Sequence, residues 1–364
     1  MDNGTQTLKV HSRYILSLVF GLMLTSCDPP MPVVPDPSGF ETTPYAFEVP
    51  SYFPPVPEPE ENPTTEEGVR LGRYLFYEKK LSADNSLSCG GCHFAENGFS
   101  DPRQFSPGID NISGDRNAMA IINLAFQQRF FWDGRKLEME TQALEPIPNP
   151  IEMHQSWGDA VAKIQADTLY PPLFRKAFGT EKVTVDRIVK AIAQFERTMI
   201  SSNSKFDRFL QGQEPLTPSE LRGYDLFNSE AGDCFHCHGD ISSGFQFSDG
   251  LFHNNGLDSV FTDLGLFNIT GLESDKGKFK STTLRNIEYT APYMHDGRFS
   301  TLEEVIDHYD MGGHPSATLD PNMKAVGVGR NWTSQQKEDL VNFLKALSDP
   351  SFISNPAFSN PHEE

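Results

Sequence analysis

Residues 233–240 read DCFHCHGD and residues 89–93 read CGGCH. In each stretch two cysteines stand three apart and a histidine follows the second: Cys89, Cys92 and His93, then Cys234, Cys237 and His238. Two C-x-x-C pairs admit several chemistries. Four thiolates can surround one zinc ion, or two short redox disulfides can form in an oxidising compartment. Neither explains the adjacent histidine. Covalent haem attachment does. Two thiols add to the two vinyl groups on one edge of the porphyrin, one helical turn presents both sulfurs, and the next residue reaches under the ring as proximal iron ligand. The doubled motif predicts two c-type haems held by these four cysteines, with His93 and His238 on iron. His236 reads as the variable residue of the second motif.

The fifth and last cysteine is Cys27. Lys9 and Arg13 precede an apolar run, YILSLVFGLML, from Tyr14 to Leu24, and LTSC ends at Cys27. A basic start, a short apolar segment and small residues before a cut mark a secretory signal. Eleven residues are too few for a bilayer-spanning helix, which needs about 20. LTSC resembles the lipobox of bacterial lipoproteins, which implies cleavage after residue 26 and a lipid on Cys27 that holds the protein at a membrane surface. The expectation is an exported, periplasmic, lipid-anchored protein. Residues 27–63 read as a tether, because 12 of the 36 residues from Asp28 to Pro63 are proline, a composition that favours extended polyproline II. With 50 acidic and 30 basic side chains, the net charge of −20 argues against a nucleic-acid partner, whose phosphates it repels. It suits a basic soluble protein, by steering.

The two motifs have matching neighbourhoods. TTEEGVRLGRYLFYE precedes the first and LTPSELRGYDLFNSE the second. Each has a Thr cap candidate (Thr64 or Thr65, and Thr217) and a G-x-x-L-F run, Gly72 to Phe76 and Gly223 to Phe227. After the motifs, NLAFQQRFFWDGR (Asn123 to Arg135) aligns with NIEYTAPYMHDGR (Asn286 to Arg298), and Trp132 takes the place of His295. Such self-similarity predicts two copies of one haem-binding unit. Ile188, Ala191, Ile192, Phe195 and Met199 form one helical stripe that closes the first unit; Leu340, Phe343, Leu344 and Leu347 form another in the last helix of the second. The stretch from Ser242 to Gly277 reads as long loops with a short hairpin. The expected fold is mainly α: two cytochrome c-like haem domains, 64–212 and 213–364, related by internal duplication, with long loops and few short strands.

From Thr64 onward the chain resembles the bacterial di-haem cytochrome c peroxidase and MauG family. The resemblance rests on the two C-x-x-C-H motifs, RNA at Arg116 to Ala118, FFWDGR at Phe130 to Arg135, QALEPIPNPIEM at Gln142 to Met153, and TLRNIEYTAPYMHDG at Thr283 to Gly297. It implies that the N-terminal haem reacts with hydrogen peroxide and that the C-terminal haem receives electrons from a small cytochrome or copper protein. It also implies that Trp132 lies between the haems and that Gln142 and Glu152 line the peroxide pocket. A calcium ion between the domains is implied at the Asn117 side chain and the Thr290 and Pro292 carbonyls, oxygen ligands such as calcium takes. A homodimer is a further expectation. Cleaving peroxide needs a proton moved from the inner to the outer oxygen, work suited to a carboxylate such as Glu152.

Two departures from the family pattern stand out. The loop FSPGIDNISGDRNA has no histidine to cap the peroxidatic iron; Ile109 stands at about that position. Tyr309 occupies the place of the methionine that ligates the second iron in peroxidases, as a tyrosine does in MauG, with Met311 as the alternative and His308 and Met294 behind it. A tyrosinate lowers the reduction potential relative to a thioether. Three functions follow: a peroxidase fed by a small redox protein, which is the primary reading; a MauG-like oxidase modifying side chains of a partner protein; or a non-enzymatic di-haem electron carrier, which gives Gln142 and Glu152 no purpose.

Overall fold

Thr65 opens helix α1 (Glu66–Phe76). Its hydroxyl accepts the Gly68 N–H, and Glu66 and Glu67 occupy the first turn, where the helix dipole favours acids. The computed structural model describes residues 1, 40–239 and 245–363. Apart from Met1, the export segment expected over 1–26, Cys27 and the tether up to residue 39 lie outside them. After α1 come α2 (Met139–Ala143), α3 (Trp157–Ala166), α4 (Tyr170–Phe178), α5 (Val185–Arg197), α6 (Lys205–Leu210), α7 (Pro218–Phe227), α8 (Phe235–His238), α9 (Phe267–Thr270), α10 (Leu302–Met311), α11 (Ser334–Ala346) and α12 (Pro350–Ile353). Thr217 caps α7 and Thr333 caps α11, each through a capping box. Strands β1 (Phe252–His253) and β2 (Phe279–Lys280) pair antiparallel, with Phe252 opposite Lys280. The chain is therefore mostly helical with little sheet. The hairpin expected before Gly277 closes just beyond it, and the intervening stretch holds the one-turn α9.

The same helix crossing occurs twice. A Cβ on Gly72 of α1 would stand 1.9 Å from the Ala191 carbonyl oxygen of α5, and one on Gly223 of α7 would stand 1.9 Å from that of Asp339 in α11. Only glycine lets the backbones approach so closely. The predicted stripes lie at these crossings: Ile188, Ala191, Ile192, Phe195 and Met199 are buried, as are Leu340, Phe343, Leu344 and Leu347.

One core packs α1 against α3, α4 and α5, and a second gathers Phe206, Phe227, Phe247 and Phe343 with α10 and α11. A third joins Phe76, Phe99, Ile121 and Met199 to Phe352 and Phe358. The end of the chain therefore returns to the N-terminal half, where Arg73 Nε donates to Ser359 O (2.8 Å) and Tyr77 OH to Phe358 O (2.6 Å). Residues Glu41–Glu364 form one unit, distinct from Met1–Phe40.

The proline-rich tether ends earlier than residue 63. From Glu41 onward it is docked on the body: Tyr45 N–H donates to Thr64 O, and Tyr52 OH donates to Asp207 Oδ1 at 2.6 Å. Phe53 is buried against Phe126 and Phe245, with the Arg285 guanidinium over its ring. Aromatic side chains thus join backbone bonds and the Thr43–Glu67 contacts in making the attachment.

Candidate haem-binding site

Cys89 opens a tight turn, Cys89–Gly91, and the His93 N–H donates to the Cys89 carbonyl at 3.0 Å. Cys234 precedes α8, and the His238 N–H donates to the Cys234 carbonyl at 3.0 Å. A single turn therefore presents two sulfurs and an imidazole in both places. His93 Nδ1 bonds Phe99 O at 2.9 Å and His238 Nδ1 bonds Phe247 O at 3.2 Å. With Nδ1 carrying the proton to a carbonyl, Nε2 keeps a lone pair for iron. Phe99 and Phe247 are buried at φ +57° and +51°, a region strained for bulky residues. Burial pushes both imidazoles below their ordinary value, His238 to about 4, which keeps them neutral.

Both motifs line one cavity of about 680 Å³. Cys89, Cys92, Cys234 and Cys237 are free thiols. Among the described residues, the group of three or more His, Cys, Asp and Glu ligand atoms that converges within 4.8 Å is Glu230, Asp233 and His236, not the four sulfurs. The two carboxylates of that group are engaged by Lys324 and Arg330, and His236 lies against both of them. Free thiols, unprotonated Nε2 atoms and a shared cavity fit two covalently attached haems.

Gln142, from α2, and Glu152, from the loop after it, line this cavity with His93. Asn149 Nδ2 donates to Glu152 Oε1 at 2.6 Å. Burial raises the Glu152 carboxyl above the ordinary range against the opposing Asn149 bond and the Arg135 charge. Ile109 is buried, does not line the cavity, and donates its N–H to Glu152 O at 2.9 Å. Trp132 lines the cavity from the D-G-R turn, and its Nε1 donates to Asn117 O at 2.9 Å.

Asn117, Thr290 and Pro292 also line the cavity. Asn117 Nδ2 donates to the carbonyls of Arg103 (3.0 Å) and Gln104 (3.2 Å), so Oδ1 is the side-chain atom left for a cation. Near His238, α10 turns Tyr309 into the cavity wall, where its hydroxyl accepts Asn255 Nδ2 at 3.3 Å; the same amide approaches Met294 Sδ at 3.4 Å. Burial pushes Tyr309 up to about 12, against the Asn255 bond. Met311 is 51 % exposed and does not line the cavity. His308 is buried and bonds Asn255 O at 3.1 Å, also away from the lining.

Three participants escaped the sequence reading. Asn149 stood in the quoted PNPIEM run, and its i, i+3 spacing to Glu152 was the available signal. Asn255 is 54 residues from Tyr309 and gave none. Glu196 of α5 is buried in the cavity wall with Oε2 lacking a partner, and burial pushes it up to about 8.

The model of the di-haem cytochrome c peroxidase family matches residues 66–215. The chain is 37 % identical to the methylamine utilization protein MauG of Methylorubrum extorquens over 306 residues, covering 83 % of this chain and 84 % of that protein. It is 33 % identical to the cytochrome c551 peroxidase of Nitrosomonas europaea, covering 79 % and 81 %. Among solved structures, a MauG-like protein associated with microbial copper homeostasis superposes with a TM-score of 0.81 at 39 % identity, covering 87 % of this chain and 99 % of that one.

Proposed function

Because the chain belongs to the di-haem cytochrome c peroxidase and MauG family, we propose that it reduces hydrogen peroxide to water with electrons from a small redox protein. The observation that carries this reading is the grouping of Gln142 and Glu152 with the His93 imidazole around one cavity. When bound, the haems supply iron: one to take peroxide and its oxidising equivalents, one to pass electrons inward. The rest falls to side chains. Asn149 holds Glu152 Oε1, so Oε2 takes the proton from the inner peroxide oxygen and returns it to the outer one. A raised carboxyl pKa suits a group that must both accept and donate near neutrality. The Gln142 amide orients peroxide beside it. Two electrons and two further protons complete the conversion of one peroxide to two waters.

Stopped-flow spectroscopy with peroxide, with and without a reduced small cytochrome, tests this. Peroxide consumption that requires the donor supports a peroxidase. A spectrum indifferent to peroxide sinks the reading.

Tyr309 in the cavity wall, with Met311 outside it, favours a second reading: a MauG-like oxidase that delivers oxidising equivalents to side chains of a partner protein. It predicts oxidised states that persist without donor and decay when that protein is added. The same proposal includes two haem units descended by duplication, as the repeated Gly72 and Gly223 crossings suggest, and a calcium ion at Asn117, Thr290 and Pro292. It also includes periplasmic export, a lipid on Cys27 and a homodimer.

A further inference from the structure

Lys280 ends β2 and is 6 % exposed. Its Nζ donates to Gln127 Oε1 at 2.6 Å and to Arg129 O at 2.8 Å, both neutral acceptors. Its backbone N–H donates to Trp132 O at 2.9 Å, which fixes the residue beside the tryptophan in the cavity wall. Among the described residues, burial alone acts on its ammonium, lowering the pKa to about 7, and no acidic side chain contributes. Other cations of this wall have carboxylates: Arg116 pairs with Asp133 and Asp263, Arg135 with Asp133, Arg330 with Asp233, and Arg285 with Asp207. His253 lies between Asp249 and Asp320.

A buried ammonium bonded only to neutral groups is costly, and such charges are normally paired. A haem brings two propionates, each an anion that needs a cation when it is drawn out of water. We infer that Lys280 is the counter-charge of a haem propionate and acts as a positioning residue beside Trp132. Gln127 and the Arg129 carbonyl occupy two of its three N–H groups, and with the residue in the cavity wall the third is left for the propionate. The inference rests on the two-haem reading. An ammonium near a haem disfavours the extra positive charge of ferric iron, so it raises the reduction potential; its removal must lower it.

The test is potentiometric titration of the holoenzyme in Lys280→Met, Lys280→Gln and Lys280→Arg, with the haem count taken by mass spectrometry and folding by thermal melts. Two covalent haems in every protein, a negative shift of one midpoint potential in the Met and Gln variants, and its return in Arg support the assignment. Gln keeps a donor for the Arg129 carbonyl, so it reports on charge if Met fails to fold. Unchanged midpoints in a folded Gln variant, or an equal shift in Lys280→Arg, overturn it. A wild-type mass without two haems refutes the two-haem reading itself.

Discussion

The Trp132 indole N–H donates to the Asn117 carbonyl at 2.9 Å, while the Asn117 N–H donates to the His295 carbonyl at 2.7 Å. The two residues that replace each other in the aligned D-G-R segments thus hold opposite ends of one residue. His295 is itself stacked on Phe279 at 3.6 Å. Trp132→Phe keeps an aromatic ring but removes one hydrogen bond and part of the ring volume, so stability should fall by about 1–3 kcal/mol. Both haems should remain attached. Donor-linked peroxide turnover should drop if the indole carries electrons between them; stopped-flow rates equal to wild type would reduce Trp132 to packing.

Glu152 offers the most direct kinetic test. Glu152→Gln should slow peroxide reduction about 100-fold or more, the scale of losing a general acid–base, without altering haem content. Its pKa lies above the ordinary carboxylate range through burial, so the carboxyl keeps its proton to higher pH than an exposed glutamate. The acid limb of the wild-type rate profile should sit correspondingly high and vanish in the variant. Asn149→Ala, which frees Oε1, should move that limb without abolishing turnover.

Tyr309 and Met311 make opposite predictions for the second iron. With Ile109 offering no lone pair, the as-isolated ferric protein should show one high-spin and one low-spin haem by electron paramagnetic resonance. Tyr309→Phe should alter the low-spin signal alone, and Met311→Leu should change neither. Loss of the low-spin signal in the Met311 variant would mean α10 turns differently from what is described above.

The docked proline-rich segment rests on a buried ion pair. Arg285 NH1 and NH2 grip Asp207 at 2.8 and 2.9 Å, both side chains nearly inaccessible, and Tyr52 OH adds a third bond at 2.6 Å. Asp207→Ala leaves the guanidinium uncompensated and should cost about 3–5 kcal/mol, whereas Tyr52→Phe should cost about 1 kcal/mol, read from chemical denaturation. The partners hold the Asp207 carboxyl below its ordinary value of 3.8. A depressed folded-state pKa gives stability that is present above the unfolded value and lost as pH falls through the folded one. Unfolding free energy should therefore decline below about pH 4, and less steeply in Asp207→Ala.

Short-range features of this protein were legible in its sequence because local geometry alone produces them. C-x-x-C-H spans one helical turn, so residue spacing determined that Cys89, Cys92 and His93 share a site. Thr65 and Thr217 cap helices through groups three residues away, and the buried stripes of α5 and α11 follow from a 3.6-residue period. Gln142, Glu152 and Trp132 came instead from likeness to a family, and their shared cavity needed the fold. Tertiary structure alone decided whether Tyr309 or Met311 faces the cavity. Two residues on a helix point about 200° apart, and only packing against neighbours sets which of them turns inward. The same holds for Asn255 bonded to Tyr309, for Phe358 returning to Tyr77, and for Phe53 fastening a proline-rich run that composition reads as an extended tether. These contacts join residues tens to hundreds of positions apart, where chain closure and the shape of the finished core, not local preference, choose the partner.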